Sequence, residues 1–166
     1  ITGVDTREII RIIRDNGSMK ALICDIDKPL DECIKTINEY QKPTNAVADV
    51  SSKKVWYSRT PNPKYNVVII DCGIKLNIIK KLNQAGCNVV VVPYNTPVEE
   101  ILKYKPNGFL ISNGPGNPYD LNEIIENIRF LVGKKPILGI GLGCELIGIA
   151  YGVNVTKMKC GHHGSN

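Results

Sequence analysis

Apolar and polar positions alternate in two different rhythms along this chain. Up to residue 42 the spacing is helical. Ile9, Ile10, Ile12 and Ile13 form one stripe, opened by Asp5-Thr6-Arg7-Glu8, an N-cap with an acid three residues on. Asn16-Gly17 is the stop signal. Met19 to Cys24 reads as a strand, and Leu30, Cys33, Ile34 and Ile37 recur as a second helix ending before Pro43. From Pro43 to Pro63 the pattern breaks up. Ser51-Ser52-Lys53-Lys54 and Thr60-Pro61-Asn62-Pro63 have linker chemistry, which sets a domain boundary near residue 63.

Beyond that boundary short apolar runs alternate with amphipathic stretches. Val67 to Ile70, Val89 to Val92, Phe109 to Ile111 and Pro136 to Ile140 are predicted strands. The all-valine run has the composition of a strand buried on both faces of a parallel sheet. Between them, Ile74, Ile78 and Leu82 mark a helix closed by Gly86, and Leu121 to Leu131 another. Thr96-Pro97-Val98-Glu99 combines an N-cap, a proline at the first helical position and a capping-box glutamate. A last helix runs from Leu142 to Tyr151, closed by Gly152. The expected fold class is α/β: a doubly wound parallel sheet over 64–166, incomplete at its C-terminal side, preceded over 1–63 by the tail of a small α/β domain and its linker. Both ends read as cut.

Composition narrows the function classes. The chain has 166 residues, 43% hydrophobic and 22% charged, in the range of globular proteins. Its net charge of +5 comes from scattered lysines without interleaved aromatics, so no nucleic-acid partner is expected. No apolar run approaches the roughly 18 residues of a membrane span, so no membrane partner is expected either. Cys24, Cys33, Cys72, Cys87, Cys144 and Cys160 include no Cys-x-x-Cys pair, which fits a reduced, cytoplasmic compartment.

In a doubly wound sheet the chemistry gathers at the carboxyl ends of the strands. These are Asp71-Cys72-Gly73, Asn113 to Pro118 and Gly139 to Gly143. Gly139-Ile140-Gly141-Leu142-Gly143 has the framework of a nucleophile elbow, Gly-x-Nuc-x-Gly, in which a sharp turn lifts the central side chain above the sheet. Its centre, Gly141, has no side chain. A dinucleotide fingerprint fails here: Cys144 or Leu146 takes the place of the third glycine, and no acid follows Glu145. A close-packed turn without function stays open for this motif alone. Asn113-Gly114-Pro115-Gly116-Asn117-Pro118 is the second turn, whose N–H groups and that of Leu142 are candidates for an oxyanion hole.

These turns carry a resemblance. Ser112 to Pro118, the elbow and Lys157-Met158-Lys159-Cys160-Gly161-His162-His163-Gly164-Ser165-Asn166 look like triad-type glutamine amidotransferases. The last stretch, with Gly3-Val4-Asp5-Thr6-Arg7 and Asp71-Cys72-Gly73-Ile74-Lys75-x-Asn77-Ile78, resembles the small-chain family of carbamoyl phosphate synthetases over nearly the whole chain. The resemblance implies glutamine hydrolysis, with ammonia passed to a large synthetase chain that makes carbamoyl phosphate from bicarbonate and ATP, in arginine or pyrimidine biosynthesis. Glutamine and the large chain are the implied partners. This chain itself is expected to hold no cofactor, ATP and Mg belonging to the large chain. It also implies an oxyanion and glutamine-binding set of Gly114, Gly116, Leu142 and Glu145, and a thiolate nucleophile whose base and orienting acid lie beyond Asn166. A metal cluster of Cys160, His162 and His163 lacks a fourth ligand, and no metal is expected.

Three slots depart from the family. The family elbow, Gly-Ile-Cys-Leu-Gly-His-Gln, becomes Gly139-Ile140-Gly141-Leu142-Gly143-Cys144-Glu145. Gly141 removes the nucleophile, and Glu145 replaces a glutamine near the substrate. Cys144 is a possible surrogate thiol, but three residues along a helix place it about 60° around and ~4.5 Å up the axis. The expectation is a glutaminase-deficient member. The alternatives are a non-catalytic docking or regulatory module of an ammonia-dependent synthetase, or a decayed gene fragment.

Overall fold

The protein is described by a computed structural model covering residues 3–159 and Gly161. It divides into two compact units, one from the chain start to Lys42 together with the residues from Thr156 on, the other Pro43–Val155.

In the first unit α1 (Thr6–Asn16) and α2 (Leu30–Glu39) form where the helical stripes predict them. The Asp5 carboxylate caps α1, accepting from the N–H groups of Arg7 and Glu8, each at 3.0 Å. Gly17, at φ +83°, ends it with an N–H to the Ile13 carbonyl. Neither helix has a buried residue. The strand expected at Met19 to Cys24 does not form, and among the described residues this unit has helices and no strand. A strand needs a neighbour for its N–H and C=O groups, and none is present there. The Lys20 ammonium instead donates to the carbonyls of Asn38 and Tyr40.

The second unit is a layered α/β domain. Its elements are α3 (Ala46–Val50), β1 (Trp56–Ser58), β2 (Tyr65–Asp71), α4 (Leu76–Gln84), β3 (Cys87–Pro93), α5 (Val98–Lys103), β4 (Gly108–Ile111), a 3₁₀ turn at Pro118–Asp120, α6 (Asn122–Leu131), β5 (Ile137–Gly139) and α7 (Leu142–Ala150). The sheet order is β1-β3-β2-β4-β5. β3, β2, β4 and β5 are parallel, as the alternating pattern predicts. β1 runs antiparallel on β3, with Trp56 opposite Val91 and Ser58 opposite Val89, so the sheet is mixed. The compact unit therefore begins at Pro43, ahead of the boundary expected near residue 63. Residues 43–63 have linker composition, yet they contribute α3 and an edge strand to the sheet.

Strand periodicity sorts the core. Val68, Ile70, Phe109 and Ile111 point to the face covered by α5, α6 and α7, where Ile101, Ile124, Ile128 and Leu146 are fully buried. Ile69, Val89, Val91 and Leu110 point to the other face, covered by Ile79 and its neighbours on α4. Each such residue contributes about 1.5–3 kcal/mol by leaving water. Thr96 is not the cap expected of it. Pro97 is the N-cap residue of α5, and the Thr96 hydroxyl donates to the Pro93 carbonyl at 2.8 Å.

From β2 the chain turns toward β3, and from β4 toward β5, in opposite directions. The crevice of a doubly wound sheet opens at that point, between the carboxyl ends of β2 and β4.

Candidate functional site

Three loops meet at this end of the sheet. After β2, the Asp71 carboxylate is 3% exposed and accepts four hydrogen bonds. The Gly73 and Ile74 N–H groups reach Oδ1 at 2.8 and 2.9 Å. The N–H and hydroxyl of Ser52 reach Oδ2 at 3.0 and 2.5 Å. Trp56 Nε1 in turn donates to the Ser52 hydroxyl at 3.0 Å. Burial alone would raise the Asp71 pKa, but the Ser52 hydroxyl and the surrounding N–H groups outweigh it and hold the carboxyl below its ordinary value.

After β4, Ser112 and Asn113 tie this turn to the next. The buried Ser112 hydroxyl accepts from the Cys72 N–H and donates to the Asn113 carbonyl, both at 2.8 Å. Asn113 Nδ2 donates to the Gly73 carbonyl at 2.8 Å. Gly114 lies so close to the β2 turn that a Cβ there would fall 2.2 Å from the Cys72 carbonyl oxygen. Cys72 itself is buried, which pushes its thiol up to about 12 and rules it out as a thiolate near neutral pH.

After β5 comes the elbow. A Cβ on Gly139 would fall 2.6 Å from the Gly143 carbonyl and from the Cys144 nitrogen. A Cβ on Gly143 would fall 2.1 Å from the Ile111 carbonyl oxygen. Both glycines are forced by backbone contact. Gly141 differs. It sits at φ +55°, ψ −118°, and a Cβ there would meet nothing nearer than Asn113 Cβ at 3.7 Å, an ordinary contact. The turn thus has the strained backbone and the open central position of a nucleophile elbow, without the nucleophile.

The sequence-predicted residues fall around this turn as follows. Leu142 is the first residue of α7, and its N–H is among the donors that lack an intrahelical acceptor. Cys144 and Glu145 are exposed in the first turn of α7, their N–H groups directed to the Gly141 carbonyl at 2.9 and 3.3 Å. Gly114 packs on Cys72, and a Cβ on Gly116, at φ +100°, would meet nothing nearer than Ala46 Cβ at 3.8 Å. The loop residue closest to the central position is therefore Asn113. Asn113 and Asp71 were visible only as members of the strand-end segments; what marks them is the hydrogen bonding between turns, which no local spacing encodes. Cys160, His162 and His163 lie outside the described residues. Among the described residues no group of three or more His, Cys, Asp or Glu is placed to hold a metal, and no helix is long and apolar enough to cross a membrane. Two open cavities of about 290 and 260 Å³ lie instead around Ala48 and Tyr94, lined by none of the elbow residues.

Comparison with known proteins agrees with this geometry. The family model "Glutamine amidotransferase class-I" matches residues 68–166. All 166 residues align, at 43% identity, with the carbamoyl phosphate synthase pyrimidine-specific small chain of Bacillus subtilis, covering 45% of that protein. The carbamoyl phosphate synthase small chain of Methanocaldococcus jannaschii is 45% identical over 172 aligned residues, 100% of this chain and 49% of that one. That of Fusobacterium nucleatum is 40% identical, again over the whole of this chain and 46% of its own. The chain spans about half the length of the curated relatives it matches.

Proposed function

The chain belongs to the class-I glutamine amidotransferase family, and from that premise we propose that it is part of the glutamine-hydrolysing, ammonia-supplying small chain of a carbamoyl phosphate synthetase, with its own glutaminase step lost at Gly141. The supporting similarity is to proteins named as carbamoyl phosphate synthase small chains. In this reading the partner is a large synthetase chain, which carries ATP and Mg and makes carbamoyl phosphate from bicarbonate. Two relatives are named pyrimidine-specific, which favours a pyrimidine role over an arginine one.

One observation carries the loss of activity: the two outer elbow glycines have no room for a side chain, while the central one has room and carries none. Glutamine hydrolysis at such an elbow needs a thiolate to attack the amide carbonyl, expel ammonia and leave a thioester for water to cleave. The Leu142 N–H and the loop after β4 would still stabilise an oxyanion, but no atom at position 141 can form the acyl bond. Removing the nucleophile of a comparable covalent enzyme costs about 10⁶ in turnover. Cys144 does not replace it, because its place on α7 is rotated away from the central position. Glu145 puts a carboxylate where the family has a glutamine, which disfavours the substrate's own carboxylate.

The test is a glutaminase assay on the complete chain, alone and with its large partner. Ammonia release at the buffer rate, and no labelling by a glutamine-mimicking alkylator, is the expected result. Ammonia release abolished by Cys144→Ala would overturn it. Gly141→Cys should restore labelling at that position, and hydrolysis where the base and its orienting acid are present and Glu145 is tolerated. A second reading, a docking or regulatory module of an ammonia-dependent synthetase, is favoured by the retention of the whole elbow framework without its thiol. Binding to the large chain together with synthesis from ammonia but not from glutamine distinguishes it.

A further inference from the structure

The Sγ atoms of Cys24 and Cys33 lie 3.5 Å apart, although the residues are nine positions apart in sequence. Cys33 is fixed by α2, where its N–H donates to the Pro29 carbonyl at 3.1 Å and its side chain is half-buried. Cys24 is exposed in the irregular segment before α2 and is brought back by a turn in which the Lys28 N–H donates to the Asp25 carbonyl. We propose that Cys24 and Cys33 form a redox-active dithiol, oxidised by a low-molecular-weight disulfide to an intramolecular disulfide. This site lies in the first unit and is independent of the glutaminase reading.

The step balances as two thiol–disulfide exchanges. The Cys24 thiolate attacks one sulfur of the small disulfide, whose S–S bond breaks and releases one small thiolate. Cys33 then loses its proton to solvent and attacks Cys24 Sγ, forming the bond between the two cysteines and expelling the second small thiolate. The protein loses two electrons and two protons, and the small disulfide becomes two thiols. Exposure sets the order. Cys24 is the sulfur an oxidant reaches, whereas burial, then the contact with Cys24, raises the Cys33 thiol above its ordinary value, with Lys28 pulling the other way. Closure would staple the irregular segment to α2.

The test uses the full chain with oxidised glutathione, followed by alkylation and trypsin. Lys28 precedes Pro29, so Cys24 and Cys33 stay together in the peptide 21–35. That peptide should lose the mass of two hydrogens and resist alkylation, and closure should be at least about tenfold faster in the native chain than in urea, because the contact prepositions the thiols. Cys24→Ser and Cys33→Ser should each abolish the cross-link. A persistent glutathione adduct on Cys24 without closure, or closure no faster than in urea, would overturn the proposal; both are read on the unmutated chain, whatever the variants do to folding.

Discussion

On either side of β4 the chain turns from strand to helix, and the two turns are held in opposite ways. After β2, a polar side chain does the holding: Asp71 gathers the N–H groups of Gly73, Ile74 and Ser52 and the Ser52 hydroxyl. After β5, the absence of side chains does it. Gly139 and Gly143 let the backbone close on itself and on the carbonyl of Ile111. The first turn depends on a charge; the second is closed by bare backbone and forbids bulk at its two outer glycines. Within the second, only Gly141 lies outside the constraint: packing leaves room for a side chain there.

Substitutions break or sharpen that contrast. Gly143→Ala should have the largest effect, since its Cβ would overlap a fixed backbone carbonyl; a loss of about 3 kcal/mol in urea unfolding is expected. Asp71→Asn should follow, at about 2 kcal/mol, because the amide nitrogen would face donors that now meet a carboxylate. The same carboxylate gives the contrast a pH signature. Its folded pKa is depressed, so its contribution is fully present above the unfolded value of about 3.9 and is lost as pH falls through the lower folded value. The stability gap between the parent and Asp71→Asn should therefore shrink on acidification below about pH 4. Gly141→Ala should cost least, about 1 kcal/mol for the positive φ, with no clash against another segment. Should Gly141→Ala prove as damaging as Gly143→Ala, the distinction between the two glycines fails.

Much of the fold was legible because it is local. The runs Val67 to Ile70 and Val89 to Val92, and the stripe of Ile124, Ile128 and Leu131, carry their own period. β1 was not legible, since its three residues become a strand only by pairing with Val89 to Val91. Conversely, Met19 to Cys24 has the composition of a strand but pairs with no strand among the described residues. At the site, the elbow glycines and Leu142 were readable from spacing, whereas Asn113 and Asp71 were not, because their significance lies in hydrogen bonds to other turns. The Cys24–Cys33 contact was equally hidden behind a spacing that matches no cysteine motif.

What the sequence determined alone was the alternation of strand and helix and the glycine at position 141, for periodicity and side-chain identity need no partner to be read. Which glycines are obligatory, which carboxylate locks a turn, which loop residue borders the central position and which thiols meet were decided by the tertiary structure. These depend on approaches of a few ångströms between segments distant in the chain, and only the packed sheet fixes such distances.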